Sequence, residues 1–152
     1  DMELGPNFLA RHLAALDAHP QAAYAYANFR WGWKVFRPGP FDRRRLQREP
    51  YINTCTLIRR ECFPGFDEHL TRFHDWDLWL TMLEQGSVGT WIPEILFRVR
   101  PGGTMSRWLP SLAYRALPWL PAVQRYRRAA EIVWRKHGLP ASTAERSRPV
   151  QS

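Results

Sequence analysis

The sequence predicts an α/β fold, a mixed sheet with flanking helices, and three observations carry that prediction. Apolar residues recur at helical spacing after Pro6, an alternating run follows at 22–28, and a Leu- and Trp-rich helical run opens near Asp75 and stops at Gly86. Helical and strand periods taking turns along one chain are the pattern of layered α/β domains. At 152 residues, 45% hydrophobic and 14% aromatic, the chain has material for one core of ordinary size and no second full domain.

Each element has its own warrant. Pro6 suits a first helical turn, and Phe8, Leu9, His12, Leu13 and Leu16 then form one helical face that stops at His19-Pro20. Residues 22–28 alternate Tyr24 and Tyr26 with small residues and read as a strand. Residues 29–40, rich in Trp, Gly and Pro, read as a loop, and residues 41–48 as a short basic helix ended by Pro50. In 53–59, Thr54, Thr56 and Ile58 fall on one side and Cys55 and Leu57 on the other, the pattern of a buried strand. After a turn at Pro64-Gly65 comes a short irregular segment and then the helix from about Asp75. Asp75 and Asp77 sit in its first turn, where the positive end of the helix dipole favours carboxylates. Two short strands, 88–92 and 95–99, are expected around Pro93. A loop at 101–104 leads into an Arg- and Trp-rich helical tail ending near Leu139, and residues 140–152 read as disordered.

Charge is divided unevenly. Residues 1–97 hold 11 Lys and Arg against 12 Asp and Glu, and residues 98–152 hold 11 against 2, so the tail carries the whole excess of +8. A basic end of this kind suits an anionic partner, with a solvated arginine face as the plainer alternative. Cys55 and Cys62 lie outside any Cys-x-x-Cys spacing and read as reduced thiols of a cytosolic protein. The five His lack the spacing of a zinc site. No run of about 18 apolar residues is present to span a bilayer. The chain opens on Asp1 rather than Met, which reads as a segment of a longer protein.

The most specific feature is Gly65-Phe66-Asp67-Glu68, a short spacer, and then His74-Asp75-Trp76-Asp77-Leu78-Trp79-Leu80, closed by Gly86. This pattern resembles the acceptor-side motif of family 2 nucleotide-sugar glycosyltransferases of the A-type fold. In that motif an acidic or amide residue precedes the Asp that acts as general base, and a hydrophobic helix follows. The resemblance puts His74 in the variable first place and Asp75 in the base position. Asp1-Met2-Glu3-Leu4-Gly5-Pro6, the helix after it and His19-Pro20 resemble the stretch that follows the family's metal site, with Asp1 as its last acidic residue. Tyr51-Ile52 and Leu57-Ile58-Arg59-Arg60 resemble the segment before the base loop, and residues 98–106 the loop that closes over the donor diphosphate.

The resemblance covers residues 1–107 and implies the C-terminal, acceptor-side half of an A-type domain. Residues 108–139 would be a basic helical tail and 140–152 disordered. It further implies inverting transfer of a sugar from a nucleotide-diphosphate donor to a hydroxyl of a glycan, lipid or cell-envelope acceptor. Mg²⁺ or Mn²⁺ would be held by Asp1, and the diphosphate by Arg100, Thr104 and Ser106. Related loops carry a His where this chain has Arg100, and a guanidinium forks well onto phosphate oxygens. Without the nucleotide-binding half, the segment is expected neither to bind donor tightly nor to turn over.

Plainer readings compete at every position. An isolated Asp at a helix start reads as a cap, but the flanking motif favours catalysis for Asp75, whereas Asp77 keeps the structural reading. Trp76 and Trp79 read as core; Trp31 and Trp33, in a Gly-containing stretch, are the candidates for touching an acceptor. Asp67 and Glu68 either cap the base loop or bind an acceptor hydroxyl, and Arg43-Arg44-Arg45 reads as a solvated helix face, with a phosphate patch as the alternative. A rival function is a non-catalytic module in which the tail, with Trp108, Trp119 and Trp134, docks on an anionic membrane surface. That placement would be cytoplasmic, at the inner face of the membrane. No reader motif for nucleic acid is present.

Overall fold

The computed structural model describes residues 2–100 and 119–140. The elements are β1 (Met2–Leu4), α1 (Phe8–Ala18), β2 (Ala22–Trp31), β3 (Lys34–Phe36), α2 (Arg43–Leu46), β4 (Thr56–Ile58), a 3₁₀ turn (Arg60–Cys62), α3 (His74–Glu84), β5 (Val88–Val99) and α4 (Pro121–Lys136). The five strands form one sheet in the order β1-β5-β2-β3, with β4 also on β2. Only the β2–β5 pairing is parallel, so the sheet is mixed, as expected.

Period-2 alternation along β2 explains why two cores form. Ala25, Ala27 and Phe29 join Phe8 and Leu16 of α1 and Phe97 of β5 in one cluster. Tyr24 and Tyr26 turn the other way and meet Trp76, Trp79 and Met82 of α3. Gly89 lets this happen, because a Cβ there would lie 2.3 Å from the Tyr24 ring. α3 ends where Gly86 takes a φ of 80°, a conformation that suits glycine.

Four expectations are corrected. The stretch 29–40 is not all loop. β2 runs on to Trp31, turns through Gly32 (φ 57°) and Trp33, and returns as β3 in a two-residue hairpin. The two strands expected around Pro93 are one strand, β5. Ala27 pairs with Ile92 and Asn28 with Ile95, so Pro93 and Glu94 are an inserted bulge, where a missing N–H costs no ladder bond. The strand expected at 53–59 is only three residues long and half-buried, at the sheet edge, although Ile58 and Leu57 do face different cores. β1 was not foreseen as a strand; it pairs Met2 with Val99 and Leu4 with Phe97.

The tail helix belongs to the packed body. Val123, Ala130, Val133 and Trp134 of α4 are at most 3% exposed, and Trp134 donates from Nε1 to the Gln47 carbonyl at 3.1 Å. Its ring stands edge-on to Trp76 at 5.4 Å. The membrane-docking role foreseen for Trp134 therefore does not hold, since that indole points into the core. Trp119 is 64% exposed, and Trp108 lies outside the described residues.

Candidate active-site cleft

A cleft of about 420 Å³ opens between the β2–β3 hairpin, the segment 50–54 and the start of α3. Its walls include Trp31, Phe36, Tyr51, Asn53, His74 and Asp75, with Met2 of β1 at the margin. The hairpin that the sequence hid supplies Phe36, and Trp31 lies 6.1 Å from that ring. Two buried indoles hang the opposite wall on α3. Trp76 donates from Nε1 to the Leu46 carbonyl at 2.6 Å, and Trp79 from Nε1 to the Ile52 carbonyl at 3.0 Å. The core role expected for both Trp residues thus has a consequence for the site, because they fix the chain on either side of Tyr51.

The entrance of α3 is strained. Phe73, just before the helix, has a φ of 63°, a region that costs a non-glycine residue about 1 kcal/mol or more. Packing holds it there: the ring meets Trp76 edge-on at 5.6 Å and Tyr126 of α4 at 5.0 Å. The next two residues, His74 and Asp75, are delivered half-buried into the cleft. Asp75 Oδ1 accepts the Trp76 N–H at 2.9 Å. Burial pushes the Asp75 carboxyl above its ordinary value of 3.8, against backbone N–H donors and the neighbouring His74 that pull it down. The sequence treats Asp75 as a carboxylate that needs positioning alone; the apolar wall tunes it as well.

Behind the cleft lies a second set of charges. Asp77, 3% exposed, receives Lys136 Nζ at 2.8 Å and His137 Nε2 at 2.9 Å. Lys136 also reaches Asp67 Oδ2 at 2.7 Å, and His137 Nδ1 meets Glu84 Oε1 at 2.7 Å. Both His137 nitrogens face carboxylate oxygens, one on Asp77 and one on Glu84. Asp77 is structural, but not as a helix cap: it ties the end of α4 to the helix that carries Asp75.

Asp67 is part of the same tie. Hydrogen bonds from Lys136 first, and then from the His69 backbone and ring, hold its carboxyl far below the ordinary value of 3.8. A depressed folded-state pKa gives stability that is present above the unfolded value and lost as pH falls through the folded one. Burial alone would lower the Lys136 ammonium, but its bonds to Asp67 and Asp77 outweigh that and raise it. Wild type should therefore be more thermostable than Lys136→Met at neutral pH, with the gap closing as pH drops below the ordinary carboxylate range. Paired melting curves across that range check this; a gap independent of pH would contradict it.

The remaining site residues divide clearly. Trp31, His74 and Asp75 share the cleft. Trp33 sits at the hairpin tip, 93% exposed, and does not line it. Neither Asp67 nor the exposed Glu68 lines the cleft, and the Asp67 bond to the His69 N–H at 2.9 Å is a local cap of the base loop. Arg100 pairs with Glu3 at 3.4 Å instead of turning to the cleft wall. Asp1, Thr104 and Ser106 lie outside the described residues. Among the described residues no group of three or more His, Cys, Asp or Glu is placed to hold a metal ion; the described walls offer a carboxylate and aromatic faces. No helix among them is long and apolar enough to cross a membrane. Sequence reasoning missed Phe36 and Asn53 as lining residues; the Pro- and Gly-rich flanks of the hairpin masked its alternation.

No protein-family model matches the chain, and no curated protein matches it in sequence. The functional reading therefore rests on the residues and their geometry.

Proposed function

We propose that the protein acts as an inverting glycosyltransferase whose general base is Asp75. One observation carries the reading: a carboxylate at the first turn of a helix stands in the wall of an aromatic-lined cleft, its proton affinity raised by burial. Raised proton affinity makes the ionised carboxylate a stronger base. In the step proposed, the acceptor O–H bond breaks and its proton moves to Asp75. The acceptor oxygen bonds to the anomeric carbon of the donor sugar. The bond from that carbon to the diphosphate breaks, and its electron pair leaves with the nucleoside diphosphate. Trp31, Phe36 and Tyr51 give apolar faces suited to the C–H faces of a pyranose, and Asn53 and His74 supply polar edges.

The metal proposed with the resemblance, Mg²⁺ or Mn²⁺, would neutralise the leaving diphosphate, with Asp1 as the chain's candidate ligand. The donor diphosphate would engage Thr104 and Ser106; Arg100 would have to leave Glu3 to join them. The test is a panel of nucleotide-diphosphate sugars and hydroxyl acceptors offered to the full-length protein, with the product anomer read by NMR. Inverted product is expected, and retained configuration would contradict the mechanism.

A second reading has one supporting observation. The outward side of α4 exposes Arg125, Arg127, Arg128 and Arg135, and Trp119 is exposed just before the helix. Such a face suits an anionic membrane surface, which would bring the cleft to lipid-linked acceptors.

A further inference from the structure

We propose a second binding site, for a phosphate-class oxyanion, formed by Arg30 and Arg98 in a pocket separate from the cleft. The pocket, of about 410 Å³, is walled by Glu3, Leu4, Gly5, Pro6, Arg30 and Arg98 among others, and it shares no lining residue with the cleft. Met2, Val99 and Trp31 form one rung across β1, β5 and β2, and Glu3, Arg98 and Arg30 form the next, which sets the two arginines directly opposite each other on paired strands.

That rung holds two cations side by side. Like charges directly opposite on paired strands are unfavourable without a counter-charge, and the one acid beside them, Glu3, already meets Arg100 at 3.4 Å. Arg30 Nε is buried with no hydrogen-bond partner. Neither Arg30 nor Arg98 forms an ion pair among the described residues. Buried donors of this kind are almost always satisfied, so the orphaned Nε–H marks the place of an absent acceptor. A phosphate offers several oxygens and close to two charges, and guanidinium forks accept that geometry better than a single carboxylate presents it. Gly5 keeps the pocket's wall tight: a Cβ there would meet the Leu96 carbonyl at 2.9 Å. Arg98 opens the stretch that the resemblance reads as closing over the donor diphosphate, but this site is argued only from the pocket and the unpartnered guanidinium, so it survives the failure of the sugar-transfer reading.

The test follows the Arg Nε–H resonances of the ¹⁵N-labelled protein during titration with inorganic phosphate, with acetate as the carboxylate arm. The Arg30 Nε–H signal should move and saturate with phosphate, and acetate should bind more weakly. Arg30→Gln and Arg98→Gln should each weaken phosphate binding by about tenfold or more, the effect of losing one charge-assisted bond. Arg60→Gln, exposed in the 3₁₀ turn and lining neither pocket, should leave it unchanged. Two further arms separate the sources of the phosphate. A soluble ligand predicts tighter binding of a nucleoside monophosphate than of vesicles containing phosphatidic acid, and a lipid headgroup predicts the reverse. In either case Arg30→Gln must abolish the preference. An unmoved Arg30 signal, equal binding of acetate, or binding that outlives both substitutions would overturn the proposal.

Discussion

Asp75→Asn is expected to lower turnover by about 10²- to 10⁴-fold, the usual contribution of a positioned base, while leaving the cleft intact. The amide keeps the oxygen that accepts the Trp76 N–H and loses only the charge. Stability should move in the opposite direction. The folded-state pKa of Asp75 lies above its unfolded value, so its contribution to stability is present below the unfolded pKa and lost as pH rises through the folded one. Above the folded-state pKa the ionised carboxylate costs the fold free energy, and the Asn variant should melt higher than wild type. That gain should vanish below the unfolded pKa. Such a pairing, activity lost and stability gained, is the mark of a group kept for function at a cost to the fold. Calorimetry alongside kinetics checks both halves; normal turnover, or a variant that melts lower above the folded-state pKa, would count against the assignment.

Trp134→Ala should be strongly destabilising, costing about 3–5 kcal/mol. The indole is 3% exposed, packs on Trp76 and caps the Gln47 carbonyl, so its removal leaves a cavity and an unpaired acceptor. The loss should also reach the cleft. α4 holds Phe73 in its left-handed conformation through Tyr126, and Phe73 sets the start of the helix that presents Asp75. Urea unfolding should show the full cost. A penalty under about 1 kcal/mol would mean that α4 is a loosely attached tail.

Much of this arrangement can be read from the residues. The helical face of α1, the alternation of Tyr24 and Tyr26, and the crowding of Leu and Trp after Asp75 each name an element and the side that it buries. The local rules failed where distant partners decide. Trp31 to Phe36 looks irregular because Gly32 and Trp33 interrupt it, yet β5 beside it turns the run into a hairpin. Pro93 suggests a break, but a bulge absorbs it without ending the strand. The tail's Arg content suggested a surface partner, while Val123, Tyr126, Ala130, Val133 and Trp134 recur at helical spacing and form the buried stripe. At the site, Asp75 and His74, singled out by the motif, and Trp31, singled out by its Gly-containing stretch, line one cleft. The motif gave no sign of the tie from Asp77 and Asp67 to Lys136 and His137, since those partners lie about sixty residues apart in the chain.

The pH dependence of kcat/KM in the full-length protein tests the role of Asp75 most directly. An acid limb should appear with its midpoint above the ordinary carboxylate value of 3.8, and it should be absent from the residual activity of Asp75→Asn. A limb at the ordinary value, or one that persists unchanged in the variant, would show that another group takes the proton.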